Sequence, residues 1–270
     1  MSSVRLWNLL VLAGAGTGKT RTIIARAAHL IGQGVSPRRI LILSFTRKSA
    51  REIVERIKSN FGTSRAEGLV GQTFHSWCMN LIKANPTIFP FGDYSLLDED
   101  DQESCFKLLC GKKLRTPDGK TVSPSNLVDV YSYAINAQCS LSEAMRVKLY
   151  DNASADLPEV ASGIENSRPT FADIIKKYIS YKNEHNYIDY DDLLNIVAKG
   201  LTTNPEARDF VSKRYDHILV DEMQDTNPLQ YKLLKAFAHN CHLFCVGDDA
   251  QSIYGFRGAD FKSIHGFTSV

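Results

Sequence analysis

Five short apolar runs punctuate the chain, and the pattern between them changes in the middle. The first, NLLVLA (8–13), is continuous enough to be a strand covered on both faces, and a glycine-rich turn follows it. From Lys19, the residues Ile23, Ala27 and Ile31, with Ile24 and Ala28, recur on one helical face that ends near Gly32 and Gly34. ILILSF (40–45) predicts a second buried strand, and Ala50, Ile53, Val54, Ile57 and Phe61 then mark an amphipathic helix closed by Gly62. LVGQTF (69–74) predicts a third strand, leading into a helix that stops before Asn85-Pro86. Strands alternating with helices at this spacing predict βαβ units and a parallel sheet.

From about residue 91 to 200 the β-branched runs disappear. Helical segments remain, separated by breakers such as TPDGKTVSPSN (116–126) and the stretch around Pro158 and Pro169. Strand patterns return at HILVDE (217–222) and HLFCVGD (242–248). The helix between them starts at TNPLQ, with Thr226 or Asn227 as its cap and Pro228 in its first turn. No internal repeat is found. The pattern predicts an α/β domain in two distant pieces, 1–90 and 201–270, interrupted by a mostly α-helical insertion at 91–200.

Composition narrows the class. At 43% hydrophobic and 23% charged the 270 residues have a globular balance, which excludes disorder and collagen-like repeats. No apolar run approaches the roughly 20 residues of a membrane span, and the first apolar stretch reads as a strand and not a signal peptide. Six cysteines without a CxxC pair point to free thiols in a reducing, cytoplasmic setting. The net charge of +2 hides an asymmetry: residues 1–92 hold 13 Lys/Arg against 3 Asp/Glu, whereas 93–190 hold 11 against 16. A strongly basic first third implies a polyanion partner, either nucleotide phosphates or nucleic acid.

The chemistry sits at the strand ends. AGAGTGKT (13–20) joins a predicted strand to a predicted helix, where backbone N–H groups and the helix N-terminus would cradle phosphate oxygens. Lys19 would meet the β- and γ-phosphates and Thr20 would offer its hydroxyl to Mg²⁺, although Ala13 stands where the strict pattern has its first glycine. ILVDE (218–222) places Asp221 at a strand's carboxyl end to hold Mg²⁺, with Glu222 beside it to orient or deprotonate a water. Lys19 and Asp221 lie 202 residues apart, more than a minimal sheet of this kind requires, which again argues for an insertion. GDDAQSIYGFRGAD (247–260) gathers Asp248, Gln251, Tyr254, Phe256 and Arg257, and aromatics in such a loop could stack on bases. Cys241, His242 and Cys245 lie in or beside a buried strand without a second ligand pair, so core packing outweighs a metal site.

With these residues in view, the chain resembles the N-terminal half of a UvrD/Rep-type DNA helicase of superfamily 1A. The resemblance is carried, in order, by AGAGTGKT, ILILSFTRKSAREIVERI (40–57), TFHS (73–76), IDYDDLL (188–194), VDEMQDTN (220–227) and GDDAQSIYGFRGAD. Met223 departs from the aromatic usual in the family. The resemblance implies a RecA-like P-loop domain whose ATP triphosphate is wrapped by Gly14, Ala15, Gly16, Thr17, Gly18, Lys19 and Thr20, with Arg21 close by. Asp221 and Thr20 would hold Mg²⁺, Glu222 would be the catalytic base and Gln251 would sense the γ-phosphate. Single-stranded DNA would meet Phe45, Thr46, Arg47 and Lys48, with Thr73, Phe74 and His75 nearby. Tyr254, Phe256 and Tyr190 would stack on bases, and Arg257 would lie between the two sites.

The implied activity is 3′-to-5′ translocation on single-stranded DNA and unwinding at single-strand/duplex junctions, as in DNA repair. None of the 12 residues before Ala13 is the family's adenine-reading glutamine, and Val270 follows soon after the last motif. The expectation is therefore that the second RecA-like domain, with its transition-state arginines, lies outside this chain, and that the chain alone hydrolyses ATP poorly. Two other readings stay open at this stage: a nucleotide-gated single-strand binding module, and part of a helicase–nuclease subunit.

Overall fold

The computed structural model describes residues 8–14, 16–89, 93–110, 114–116, 119, 121–150, 157–237 and 241–248. In chain order these form β1 (Leu9–Leu12), α1 (Lys19–Gly32), β2 (Ile40–Ser44), α2 (Arg47–Phe61), β3 (Val70–Thr73) and α3 (Phe74–Ala84). Next come β4 (Ser95–Leu97), α4 (Glu99–Cys110), α5 (Pro124–Asn136), α6 (Leu141–Leu149), α7 (Pro158–Glu184), β5 (Tyr187–Asp189) and α8 (Tyr190–Thr203). The chain then runs through α9 (Pro205–Arg214), β6 (His217–Val220), α10 (Pro228–Phe237) and β7 (His242–Gly247). Two compact units result, residues 1–90 with 196–270, and residues 91–195, the division falling inside α8.

In the first unit, five strands form one parallel sheet in the order β1-β7-β6-β2-β3. Every residue of β2 is buried, as expected of a central parallel strand with helices over both faces. Alternation along β2 sends Ile40 and Ile42 into one core with Ile23, Ile24 and Ala27 of α1 and Ile53, Val54 and Ile57 of α2. These are the positions whose helical spacing the sequence displays. Truncating Ile53, which is fully buried, to Ala should cost about 2–5 kcal/mol. Because all five strands run the same way, the turns after β1, β2, β3, β6 and β7 open at one edge, where open α/β sheets bind ligands.

The second unit has its own core. Phe106 of α4 stacks on Tyr178 of α7 at 4.4 Å between ring centroids, and Leu127, Val130 and Tyr131 of α5 and Met145 of α6 close around them. Two features depart from the pattern read in the sequence. Pro169 does not end a helix: it lies inside the 27-residue α7, while Pro158 sits at that helix's first turn. An internal proline costs about 3 kcal/mol, which burial of Phe171, Ile174 and Tyr178 beyond it offsets. The helical unit also holds a two-stranded parallel ladder, β4 with β5, too short to produce a readable alternation. At the start of α10, Asn227 is the cap: its Oδ1 accepts from the Gln230 amide at 2.8 Å, and Gln230 Oε1 accepts from the Asn227 amide at 3.2 Å. Among the described residues no helix is long and apolar enough to cross a membrane.

Candidate nucleotide and nucleic-acid site

The turn after β1 is pinned at both ends. The Ala13 amide donates to Gly247 O at 2.9 Å, extending the sheet ladder by one rung, and the Thr17 hydroxyl donates to Gly14 O at 2.7 Å. Gly16 (φ 72°) and Gly18 (φ 97°) occupy the left-handed region that lets successive amides turn inward, with Gly18 as the cap of α1. No acidic side chain lies in the first turn of α1, so its positive end is open to an anion. Lys19 opens that helix and is 8% exposed. Its Nζ lies 3.3 Å from Glu222 Oε2 and 3.5 Å from Asp248 Oδ2, joining the ends of β1, β6 and β7.

Asp221 continues the β6 ladder, its amide donating to Leu43 O at 2.9 Å. The side chain is 2% exposed, and neither carboxylate oxygen has a partner in good hydrogen-bond geometry, although the Ser49 side chain and the Glu222 amide lie near enough to favour its charge slightly. Burial, and then the charge of Glu222, push its pKa up to about 6. Asp225 repeats this on a smaller scale: Oδ1 is buried without a partner, and burial followed by Glu222 raises it to about 6. A buried carboxylate that no donor satisfies is a group adapted to a cation. Among the described residues there is no cluster of three or more His, Cys, Asp or Glu that could hold a metal. Mg²⁺ keeps several waters and takes one or two protein oxygens together with substrate phosphates, so Asp221 could hold it without such a cluster. Thr20, half-buried in the first turn of α1, supplies the second oxygen type expected.

The basic segment after β2 starts α2. Thr46 caps it, its hydroxyl accepting from the Ser49 amide at 3.0 Å, while Arg47 and Lys48 are exposed and Phe45 is half-buried. Thr73 does the same for α3, accepting from the Ser76 amide at 3.2 Å. Both threonines therefore shape the turns before they can contact any ligand. Phe74 is 3% exposed and packs inward, because 74, 77, 78, 81 and 82 form the buried stripe of α3. His75 beside it is half-buried. Arg47, Arg51 and Lys58 line a groove of about 380 Å³ with Gln72, Thr73 and Ser76. The sequence reading did not single out Lys58, Gln72 or Ser76. The signal was present as basic residues 4 and 11 positions after Arg47, which fall on one helical face.

Arg21 is exposed on α1, and Tyr190 is 42% exposed at the start of α8 in the second unit. Ala15, Gln251, Tyr254, Phe256 and Arg257 lie outside the described residues. Of the three residues weighed as metal ligands, Cys245 is buried in β7 and the Cys241 thiol donates to Tyr215 O. The His242 ring stacks on His217 at 4.8 Å.

Sequence comparison agrees with this arrangement. Residues 4–269 match the UvrD/REP helicase N-terminal domain. The chain is 36% identical over 264 residues to the ATP-dependent DNA helicase PcrA of Bacillus subtilis, covering 96% of this chain and 33% of that protein. It is 32% identical to the PcrA of Staphylococcus aureus over 262 residues, with the same coverage of 96% and 33%. It is 34% identical to the ATP-dependent DNA helicase Rep of Buchnera aphidicola over 253 residues, 93% of this chain and 36% of that protein. The chain thus spans about a third of the length of the curated relatives it matches. A parallel five-stranded sheet with a phosphate-loop turn after β1, an acidic pair after β6 and a family match over nearly every residue lead to one assignment: the chain belongs to the UvrD/REP helicase N-terminal domain family.

Proposed function

We propose that this chain is the ATP-binding part of a 3′-to-5′ DNA helicase motor, which couples ATP hydrolysis to movement along single-stranded DNA and to unwinding at single-strand/duplex junctions. The observation that carries the reading is Lys19, held between Glu222 and Asp248 beside the unsatisfied Asp221. An incoming triphosphate replaces those carboxylates as the partner of Lys19, and the amides of residues 14–20 close on its oxygens. Asp221 and Thr20 would hold Mg²⁺, which when bound neutralises charge on the β- and γ-phosphate oxygens. Glu222 accepts a proton from water as the water oxygen bonds to the γ-phosphorus. The bond from that phosphorus to the bridging oxygen breaks, and its electron pair leaves with ADP. Gln251 is assigned to sensing the γ-phosphate.

On the DNA side, Arg47 and Lys48 hold phosphates, with Thr46, Thr73 and His75 completing the contact and Arg51 and Lys58 extending the charge. Tyr190, Tyr254, Phe256 and Phe45 serve as stacking faces, which grip any sequence at about 1–3 kcal/mol per base. Arg257 lies between the two tasks in this reading. A reducing, cytoplasmic setting fits six free thiols.

The test is binding of a fluorescent ATP analogue with Mg²⁺, and of a single-stranded oligonucleotide, by the chain and two variants. Lys19→Ala is expected to lose nucleotide and keep DNA. The double variant Arg47→Ala/Lys48→Ala is expected to keep nucleotide and lose DNA affinity, with a shallower salt dependence. A Lys19→Ala chain that binds nucleotide as the parent does would overturn the reading.

A further inference from the structure

Glu222 has a backbone that few side chains adopt, φ 53° and ψ 51°, in the left-handed region. For a residue with a Cβ that conformation is unfavourable, so something must hold it. Gln224 is placed to do so. Its Nε2 donates to Glu222 Oε2 at 2.6 Å, and its Oε1 accepts from the Asp248 amide at 2.9 Å. The side chain is 4% exposed. An amide offers a donor and an acceptor on one rigid plane: a carboxylate would lose the donor, and a thioether would keep at most a weak acceptor.

Gly247 makes the close approach possible. A Cβ there would stand 3.1 Å from Gln224 Oε1 and 3.1 Å from Met223 Cβ. The tether also answers a problem set by Lys19, which approaches the same Oε2 of Glu222. Once a phosphate takes Lys19, that restraint on the carboxylate is gone and the bond from Gln224 remains.

Resting on the nucleotide reading above, we infer that Gln224 is the positioning residue that aims Glu222 at the attacking water and fixes it to the end of β7. Gln224 touches neither nucleotide nor water in this scheme. Its loss should therefore leave nucleotide affinity alone and remove only the part of binding that needs an aimed Glu222.

The test measures affinity for ADP and for ADP with aluminium fluoride, which mimics the phosphoryl group in flight with its water, on the chain with Mg²⁺. Lys19, the phosphate-loop amides and an aimed Glu222 all lie on this chain, so the parent is expected to prefer the fluoride complex even without the arginines expected outside it. Gln224→Met and Gln224→Glu are each expected to reduce that preference about tenfold or more while ADP affinity stays within about twofold. Gln224→Glu is the discriminating variant, because it keeps the acceptor for the Asp248 amide while it replaces the donor to Glu222 with a repelling carboxylate oxygen. Gly247→Ala, which displaces the tether without altering either partner, should give a smaller loss in the same direction. A parent without the preference, a Gln224→Glu chain that matches the parent, or ADP affinity falling in parallel would each overturn the inference. Parent-like ADP binding by Lys19→Ala would instead sink the nucleotide reading beneath it.

Discussion

Two acidic motifs follow short strands in this chain, and the structure treats them oppositely. In IDYDD, Asp189 is wholly buried yet fully engaged: Lys182 Nζ donates to its Oδ2 at 2.5 Å and the Tyr178 hydroxyl at 3.0 Å. Lys182 also reaches Asp192 at 2.6 Å, and the Asp189 and Asp192 amides exchange bonds with each other's carboxylates. Asp191 accepts from Ser132 and Asn136, fastening α8 to α5. In VDEMQD, by contrast, Asp221 has no partner in good hydrogen-bond geometry for either oxygen, and burial outweighs what Ser49 and the Glu222 amide contribute. One cluster is satisfied internally and behaves as architecture. The other is left incomplete and waits for something brought in. The difference lies in the partners, and not in the number of carboxylates.

The sharpest test of this contrast is Lys182→Met. Removing the shared cation leaves buried carboxylates unpaired, and urea denaturation should show a loss of about 3–5 kcal/mol. Next comes Asp191, whose pKa burial, and then Asp189, raise to about 7. A carboxyl whose folded pKa exceeds its unfolded value stabilises the fold below the unfolded value, and that stabilisation fades as pH rises through the folded one. Stability should therefore decline between about pH 4 and pH 7, and Asp191→Asn should flatten that decline, on the order of 2 kcal/mol across the window.

Asp221→Asn should act with the opposite sign to Lys182→Met. It removes an unsatisfied charge, so the melting point should rise, equivalent to about 1 kcal/mol, while Mg²⁺ loses its effect on nucleotide binding. A fall in stability would erase the comparison. The smallest expected effect is Tyr190→Ala, between two buried aspartates but itself exposed: stability should shift by less than about 0.5 kcal/mol, while oligonucleotide affinity drops roughly tenfold.

These outcomes bear on what the sequence discloses. Four of the five main strands are legible because each is a continuous apolar run, β3 (VGQT) only by its place between two helices, and the P-loop because its glycines and Lys19 have a fixed spacing. Family resemblance marks both acidic motifs without saying which is complete. The answer depends on Lys182, 7 residues before Asp189, and on Tyr131, 51 residues before Lys182, whose hydroxyl accepts from its ammonium. In a charge count Lys182 is one more solvated lysine. The burial of Phe74, in contrast, is legible in the 3-4 spacing of its helix. Gln224 escaped notice because its partner, the Asp248 amide, is 24 residues away and belongs to the backbone.

The strand order has a consequence in time. Among the described residues β1 pairs only with β7, so the strand that leads into the phosphate loop is made long before the strand it pairs with. Lys19 and Asp248 are 229 residues apart. At about 5–20 residues per second, a ribosome leaves the loop without its sheet partner for roughly 10–50 s after synthesising it. During that interval the nascent chain cannot grip nucleotide, and the first binding event marks the moment β7 pairs with β1.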